Sequence, residues 1–315
     1  MTVKTFLNFV RVQTLPAALL PAVIALFFSA YYFKQFDLLR SVLIIIGLVS
    51  INFFVSAWNN LMDYKKAKDQ AYKEKENILS TRRIPERLAL RICLILLGID
   101  IFVGLILTLI TNWILLPIGA ICLIVAVFYT YGPFAFSRFP LGEVLACLAE
   151  GLGSFFIAVY VNSYDLKYLY LDFQHLDFTL IGDLKIIFSL ILVGMFCGLL
   201  NFNVMLADNI SDLIQDIKNE RYTLPSYLGV PRSLKLFKFI YLLATALLLT
   251  SIVFKILPLT TLITLIFLPL IYQNTARFVK KQSKAETFKY SIQNLKLFEA
   301  AVILALVMNY LLQLI

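Results

Sequence analysis

The chain has 315 residues, 61% of them hydrophobic and only 15% charged, with a mean hydropathy of +0.86; soluble domains carry about 25% charged residues, so a water-soluble globular protein is excluded. The formal net charge of +9 would suit nucleic acid, but the basic residues fall in short connections between apolar runs, which excludes that partner and points instead to orientation in a lipid bilayer. The composition therefore predicts an all-α, polytopic protein of the cell membrane, read as a single domain over residues 1–315.

The chain opens with MTVKTFLNFVRVQTLPAALLP, which has no small-residue cleavage site after its first apolar run, so no removed signal peptide is expected. A helix needs about 20 mostly apolar residues to cross the hydrocarbon layer. Nine runs approach that size: Thr14–Phe33, Leu38–Met62, Leu88–Thr111, Trp113–Gly132, Leu141–Val161, Leu184–Ala207, Leu236–Leu257, Leu259–Gln273 and Gln293–Ile315, the eighth being the shortest. Pro16, Pro21, Pro117 and Pro269 fall inside these runs and predict kinks. Gly194 and Gly198 form a GxxxG in the sixth run, which predicts a close helix contact within the monomer. Cys93, Cys122, Cys147 and Cys197 lie in apolar runs without CxxC spacing, and the lone His175 has no second histidine or cysteine nearby, so neither a disulfide framework nor a zinc site is expected.

Lysine and arginine set the orientation, because short cytoplasmic loops are enriched in them. The connection after the second run holds Lys65, Lys66, Lys68, Lys73, Lys75, Arg82, Arg83 and Arg87. Those after the sixth and eighth runs are also basic, whereas the connection after the fifth carries Asp165, Asp172, Asp177 and Asp183. The N-terminus, with Lys4 and Arg11, is therefore expected in the cytoplasm and the C-terminus outside.

That parity brings the ends of the second and sixth runs to the same side. The second ends in NNLMDYKKAKD, where Asn59 and Asp63 are one helical turn apart and share a face. The sixth ends in ADNISDLIQDIKNERYTLPSYLG, with Asp208, Asp212 and Asp216 at four-residue intervals. Carboxylates and helix C-termini both favour cations there. Hard oxygen ligands suit Mg²⁺, which keeps several waters and bridges carboxylates to substrate phosphates. A single DxxxD at a membrane border is readily a solvated helix end. Two sets converging among Asn59, Asn60, Asn201, Asn203 and Asn209 argue for a site.

These motifs resemble those of the UbiA superfamily of intramembrane aromatic prenyltransferases, and within it most resemble the 1,4-dihydroxy-2-naphthoate polyprenyltransferases of menaquinone synthesis. The resemblance is carried by RVQTLPAALLPAVIA, NNLMDYKKAKD, YTYGPFAFSRFPLGE and DNISDLIQDIKNERYTLPSYLG, and runs to about the seventh helix. It implies nine helices around a central cavity, with a diphosphate site under cytoplasmic loops. It implies Asp63, Asp212 and Asp216 as catalytic carboxylates and Asn59, Asp63, Asp212 and Asp216 as Mg²⁺ ligands, with Asp69 and Asp208 as further acids at the metal. Lys66, Lys218 and Arg221 are then diphosphate-binding, with Thr223 beside them shaping the loop; Tyr129 and Arg11 are acceptor-binding. Tyr129 and Glu143 read equally well as an interfacial hydroxyl and a helix cap. The chain departs from the family pattern at Asn60, usually Asp, at Asp208, usually Asn, and at Ser211, usually Arg. If Asn60 and Asp208 border one site, that exchange keeps its total charge constant.

The implied reaction takes a polyprenyl diphosphate and an aromatic acceptor, 1,4-dihydroxy-2-naphthoate, and gives demethylmenaquinone with loss of CO₂ and diphosphate. Hydroxybenzoate, haem or sugar phosphate acceptors belong to other branches of the superfamily, and the YTYGP and LGE segments disfavour them. A transporter would carry its acids near the bilayer midplane rather than clustered at one border.

Overall fold

The computed structural model describes residues 1–132, 135–174 and 177–312. Its frame is nine helices: α1 (Val12–Phe33), α2 (Leu38–Lys66), α3 (Glu86–Ile110), α4 (Leu115–Phe128), α5 (Gly142–Leu166), α6 (Leu184–Lys218), α7 (Val230–Val253), α8 (Leu259–Lys280) and α9 (Lys289–Leu312). Each of the nine apolar runs is thus met by one helix, although Pro133, Phe134, His175 and the last three residues of the ninth run lie outside the described residues. Among the described residues eight of these helices are long and apolar enough to cross a membrane, which makes this a multi-pass membrane protein. The short one is not the eighth, as the hydropathy suggested, but the fourth: α4 has 14 residues and spans only about 21 Å at 1.5 Å per residue. The eighth run gains length because Leu259–Phe267 winds as a 3₁₀ helix, which rises faster per residue than the α-helix that follows it.

Local chemistry sets the helix ends. Asp37 caps α2 by accepting from the Arg40 N–H at 2.8 Å, and Asp183 caps α6 by accepting from Lys185 and Ile186 N–H at 2.9 and 3.1 Å. Lys65 and Lys66 lie in the last turn of α2 and Lys218 in that of α6, where the helix dipole favours cations. Of the four intraspan prolines only Pro21 sits inside regular helix. Pro16 and Pro269 occupy the first α-helical turn where a 3₁₀ segment ends, and Pro117 lies in the first turn of α4, where a missing N–H costs no hydrogen bond. These prolines start helices rather than kink them.

The interior is built by α6 packing on α5 and α7, α2 on α3, and α1 on α5 and α9. Gly198 faces Cys147 and Gly151, and Gly194 faces Leu152, so the GxxxG lets α6 meet α5 at backbone distance, as the spacing predicted. Leu94, Phe102 and Leu109 of α3 and Leu242 and Val253 of α7 stay exposed, as expected of side chains that face lipid. Between α5 and α6 lies a feature the sequence reading missed, an antiparallel hairpin of β1 (Leu169–Gln174) and β2 (Asp177–Gly182). It is tied to the α3–α4 connection by Asn112, whose side chain both donates to the Leu171 carbonyl and accepts from its N–H at 3.0 Å.

Candidate active site

A stripe along α2, Ile44, Leu48, Ile51, Val55, Asn59, Asp63 and Lys66, recurs every three or four residues and lines one side of a cavity of about 860 Å³. On α6 the same spacing presents Asn201, Val204, Met205, Asp208, Asp212 and Asp216 to the same space. The α2 stripe is mainly apolar before Asn59 and Asp63, whereas the α6 stripe has only Val204 and Met205 between Asn201 and the three aspartates. The result is a mostly apolar chamber with both acidic motifs at one end, closed along its sides by α1, α3, α4 and α5, of which α3 and α5 add Asp100 and Glu150 to the lining.

The expected residues divide into those that face the chamber and those that brace it. Asn59, Asp63, Asp208, Asp212 and Asp216 all line it. The Oδ1 atom of Asn59 and one carboxylate oxygen of Asp216 are buried without a hydrogen-bond partner among the described residues, as oxygens awaiting a cation would be. Among those residues no three of His, Cys, Asp and Glu are close enough to form a ready metal cage. Asp69 does not line the chamber. Its carboxylate accepts from the Ala71 N–H at 2.9 Å and from Gln215 Nε2 at 3.3 Å, tying the loop after α2 to α6.

Arg221 does reach the chamber. Its Nε donates to the Ser137 carbonyl at 2.8 Å and its Nη1 lies 3.5 Å from Asp216 Oδ1. Burial disfavours its charge, but the carboxylates of Asp216, Asp63 and Asp208 outweigh that and hold its pKa above the usual arginine range. One guanidinium therefore senses both acidic motifs. Lys66 also borders the chamber, with Nζ donating to the Thr130 and Gly132 carbonyls at 3.1 and 3.0 Å. Lys218 is exposed and outside the lining, which corrects its expected place beside Arg221: the α6 helix turns it to the face opposite Asp212 and Asp216. Thr223 is buried at the start of the short helix Leu224–Leu228, consistent with shaping the loop.

Tyr129 lines the chamber beside Met205, its hydroxyl 3.7 Å from the sulfur. Arg11 lines it too, while Nη2 donates to Asn60 Oδ1 at 2.6 Å. Asn60 itself is buried behind Arg11 and outside the lining, with Nδ2 donating to the Phe9 carbonyl at 2.8 Å. The supposed charge exchange between Asn60 and Asp208 is thereby corrected, because only Asp208 borders the chamber. Other amides read as ligands brace the walls through their NH₂ groups: Asn201 donates to the Ala17 carbonyl, Asn203 to that of Phe237, and Asn209 to the Glu143 carboxylate at 2.8 Å, while Asn201 also lines the chamber with its Oδ1 unpartnered. That last bond makes Glu143 a buried brace between α5 and α6. Ser211 satisfies itself against the Ala207 carbonyl at 2.8 Å.

Lys284, one of the basic residues of the connection after the eighth run, lies at the acidic end. Its Nζ bonds Asp212 Oδ2 at 2.6 Å and also the Asp208 carboxylate. Burial works against its charge, but Asp208 and Asp212 prevail and raise its pKa above the ordinary lysine value.

The UbiA prenyltransferase family matches this chain over residues 18–298. The chain belongs to that family. Among similar proteins, the 1,4-dihydroxy-2-naphthoate octaprenyltransferase of Bacillus subtilis (strain 168) is 25% identical over 222 residues. The match takes in 70% of this chain and 64% of that protein, so it spans somewhat less than two thirds of the relative's length. A UbiA homolog from Archaeoglobus fulgidus bound to GPP and Mg²⁺ superposes with a TM-score of 0.62 at 16% identity, covering 96% of this chain and 99% of that one. The apo UbiA homolog from Aeropyrum pernix K1 gives a TM-score of 0.69 at 16% identity over 90% and 96% of the two chains. At these identities the structures establish the shared fold alone.

Proposed function

We propose that this protein transfers a polyprenyl group from an allylic polyprenyl diphosphate to an aromatic acceptor, 1,4-dihydroxy-2-naphthoate, releasing CO₂ and diphosphate and forming the prenylated naphthoquinol, the reduced form of demethylmenaquinone. The observation that carries the reading is the polarity of the chamber: two acidic helix ends and Arg221 at one end, and behind them a mostly apolar interior broken by Asn52, Asp100, Glu150 and Asn201. A diphosphate headed by a long hydrocarbon tail has that same division. The headgroup belongs among Arg221, Lys66 and the carboxylates, and the tail along the apolar faces of α2 and α6. Family membership and the name of the Bacillus relative support the reaction class and the acceptor respectively. The lysine and arginine bias supports a cytoplasmic acidic end, where a soluble acceptor and Mg²⁺ are at hand.

Asn59, Asp63, Asp212 and Asp216 would hold Mg²⁺, which when bound neutralises the departing diphosphate. Arg221 adds fixed positive charge where the leaving oxygen becomes anionic. The allylic C–O bond breaks, its electron pair leaving with the diphosphate, and the dry apolar wall protects the resulting carbocation from water until the ring carbon that bears the acceptor's carboxylate attacks it. The ring carboxylate then leaves as CO₂, its bonding electron pair restoring the aromatic ring. Tyr129 and Arg11 face the same space and would orient the acceptor. The test is purified protein with Mg²⁺, a polyprenyl diphosphate and a panel of aromatic acceptors, with products identified by mass. Prenylated, decarboxylated naphthoquinol is the expected product. Transfer only to hydroxybenzoate, or no transfer to any aromatic ring, overturns the reading. Asp63→Ala and Asp212→Ala should each lower turnover by about a thousandfold, the scale of removing one electrostatic partner of a transition state.

A further inference from the structure

Lys284 stands in the α8–α9 connection, 72 residues along the chain from Asp212. A reach of that kind needs a stiff support, and the connection supplies one. Thr287 Oγ1 donates to the Lys281 carbonyl at 2.7 Å and accepts from the Ser283 N–H at 2.9 Å, while the Phe288 N–H closes on the Ser283 carbonyl at 3.0 Å. Lys281 and Glu286 pair across the same turn at 2.7 Å. From this turn the Lys284 ammonium projects over the Phe288 ring, 4.9 Å from its centroid, and spans the two carboxylates that α6 presents one turn apart.

We propose that Lys284 is a tethered counter-ion of the second acidic motif, which closes Asp208 and Asp212 to bare divalent cations and moves onto the diphosphate when metal and diphosphate arrive together. This rests on the Mg²⁺–diphosphate reading above. The argument is one of charge. With Lys284 in place the pair Asp208 and Asp212 carries one net negative charge instead of two, and its inner oxygens already accept hydrogen bonds. A divalent ion arriving alone must break both ion pairs of the ammonium and offers it only water in return, since the Lys284 side chain is 45% exposed. A diphosphate arriving with the metal brings an anionic partner, because its oxygens take the ammonium that the carboxylates release. Lys284 thus makes metal and diphosphate binding mutually dependent, and a site that is open only a fraction of the time shows a correspondingly weakened apparent metal affinity.

The test measures Mn²⁺ binding to the full chain in detergent by electron paramagnetic resonance, with and without inorganic diphosphate, for the wild type, Lys284→Gln, Lys284→Arg and Asp212→Asn. For the wild type, Mn²⁺ should bind weakly alone and at least about tenfold more tightly with diphosphate. Lys284→Gln should bind Mn²⁺ alone about tenfold more tightly than the wild type and lose most of the enhancement by diphosphate, whereas Lys284→Arg should keep the wild-type pattern. If Lys284→Gln binds bare Mn²⁺ no better than the wild type while Asp212→Asn abolishes binding, the counter-ion role is overturned and the metal-site reading stands. If no variant and not even the wild type binds Mn²⁺ with diphosphate present, both are overturned.

Discussion

Arg11 and Asn60 are joined by two hydrogen bonds, from Nη2 at 2.6 Å and Nε at 3.2 Å to the single oxygen Oδ1, so the amide on α2 aims the guanidinium that enters from the segment before α1. The same amide spends its donor on the Phe9 carbonyl at 2.8 Å. Asn is the residue that serves both partners at once. Asn60→Asp keeps an acceptor for Arg11 but leaves the Phe9 carbonyl without its donor, at a cost of about 1–2 kcal/mol. Asn60→Leu strands both groups and should cost more. Thermal unfolding of detergent-purified variants should rank them wild type, Asn60→Asp, Asn60→Leu.

A second consequence follows from the same geometry. Asn60 lies outside the chamber lining and Asp208 within it, so Asn60→Asp and Asp208→Asn should act independently. Their effects on activity and on Mg²⁺ dependence are expected to add to within about 0.5 kcal/mol in a double-mutant cycle. Rescue of one variant by the other would show that the two positions share one electrostatic site after all.

The α5–α6 seam gives a sharper stability prediction. A Cβ on Gly198 would lie 2.7 Å from the Cys147 carbonyl oxygen and 2.8 Å from its sulfur, while a Cβ on Gly98 or Gly104 of α3 meets nothing within 4 Å. Gly198→Ala must push two backbones apart beside the segment Ala146–Gly153, and should destabilise by about 2–3 kcal/mol. Gly104→Ala should be neutral or stabilise by up to about 1 kcal/mol, since it only removes backbone freedom. Equal melting temperatures for the two variants would contradict the close approach.

The helices and the acidic helix ends were legible because they depend on local periodicity: the chamber-facing residues of α2 and α6 recur at helical spacing in the sequence itself. What was not legible depends on partners distant in the chain. Asn201, Asn203 and Asn209 have the chemistry of ligands, and only the carbonyls of Ala17 and Phe237 and the carboxylate of Glu143 reveal them as braces. Lys218 sits beside Asp216 in sequence but faces away from it, since neighbouring helix residues diverge by about 100°. Lys284 carried no local signal at all, because its partners come from another helix. The β1–β2 hairpin was hidden by acidic residues such as Asp172 and Asp177, which mark an exposed loop by composition yet alternate well enough to pair as strands.

Membrane orientation is open to a direct measurement. Lys75 and Asp177 are both exposed, at opposite ends of the chain's alternation of basic and acidic connections, and Cys93, Cys147 and Cys197 are buried, which keeps background labelling low. With the half-buried Cys122 replaced by Ser, a cysteine at 177 should react with an impermeant maleimide on intact cells. A cysteine at 75 should react only after permeabilisation. The reverse pattern would place the acidic motifs outside and deny them cytoplasmic Mg²⁺.

Arg221 lets the structural and chemical roles of one residue be separated. Its backbone N–H closes on the Asp216 carbonyl at 2.9 Å, its Nε on Ser137, and the next N–H, that of Tyr222, on the Arg138 carbonyl at 3.0 Å, so the loop after α6 is sewn to the connection between α4 and α5. Its charge, however, is placed for Asp216, which is only 6% exposed and has one oxygen unpartnered. Arg221→Met leaves that carboxylate buried without a cation and should cost about 2–3 kcal/mol of stability. Adding Asp216→Asn removes the stranded charge, so the double variant should melt higher than Arg221→Met alone. Arg221→Lys gives up the planar fork and with it the Ser137 bond, at a cost of about 1 kcal/mol, but keeps the positive charge that the buried Asp216 needs, so it should unfold only a little below the wild-type temperature. Catalysis should separate the variants differently. If the guanidinium also meets the diphosphate, Arg221→Lys raises the KM for polyprenyl diphosphate and lowers kcat despite near-normal stability, and the Arg221→Met, Asp216→Asn pair regains stability without regaining activity. Full activity in Arg221→Lys, or recovery of turnover in the stabilised double variant, would reduce Arg221 to a strut between two loops and leave the departing diphosphate to the other cations that line the chamber, Arg11, Lys66, Arg138 and Lys284.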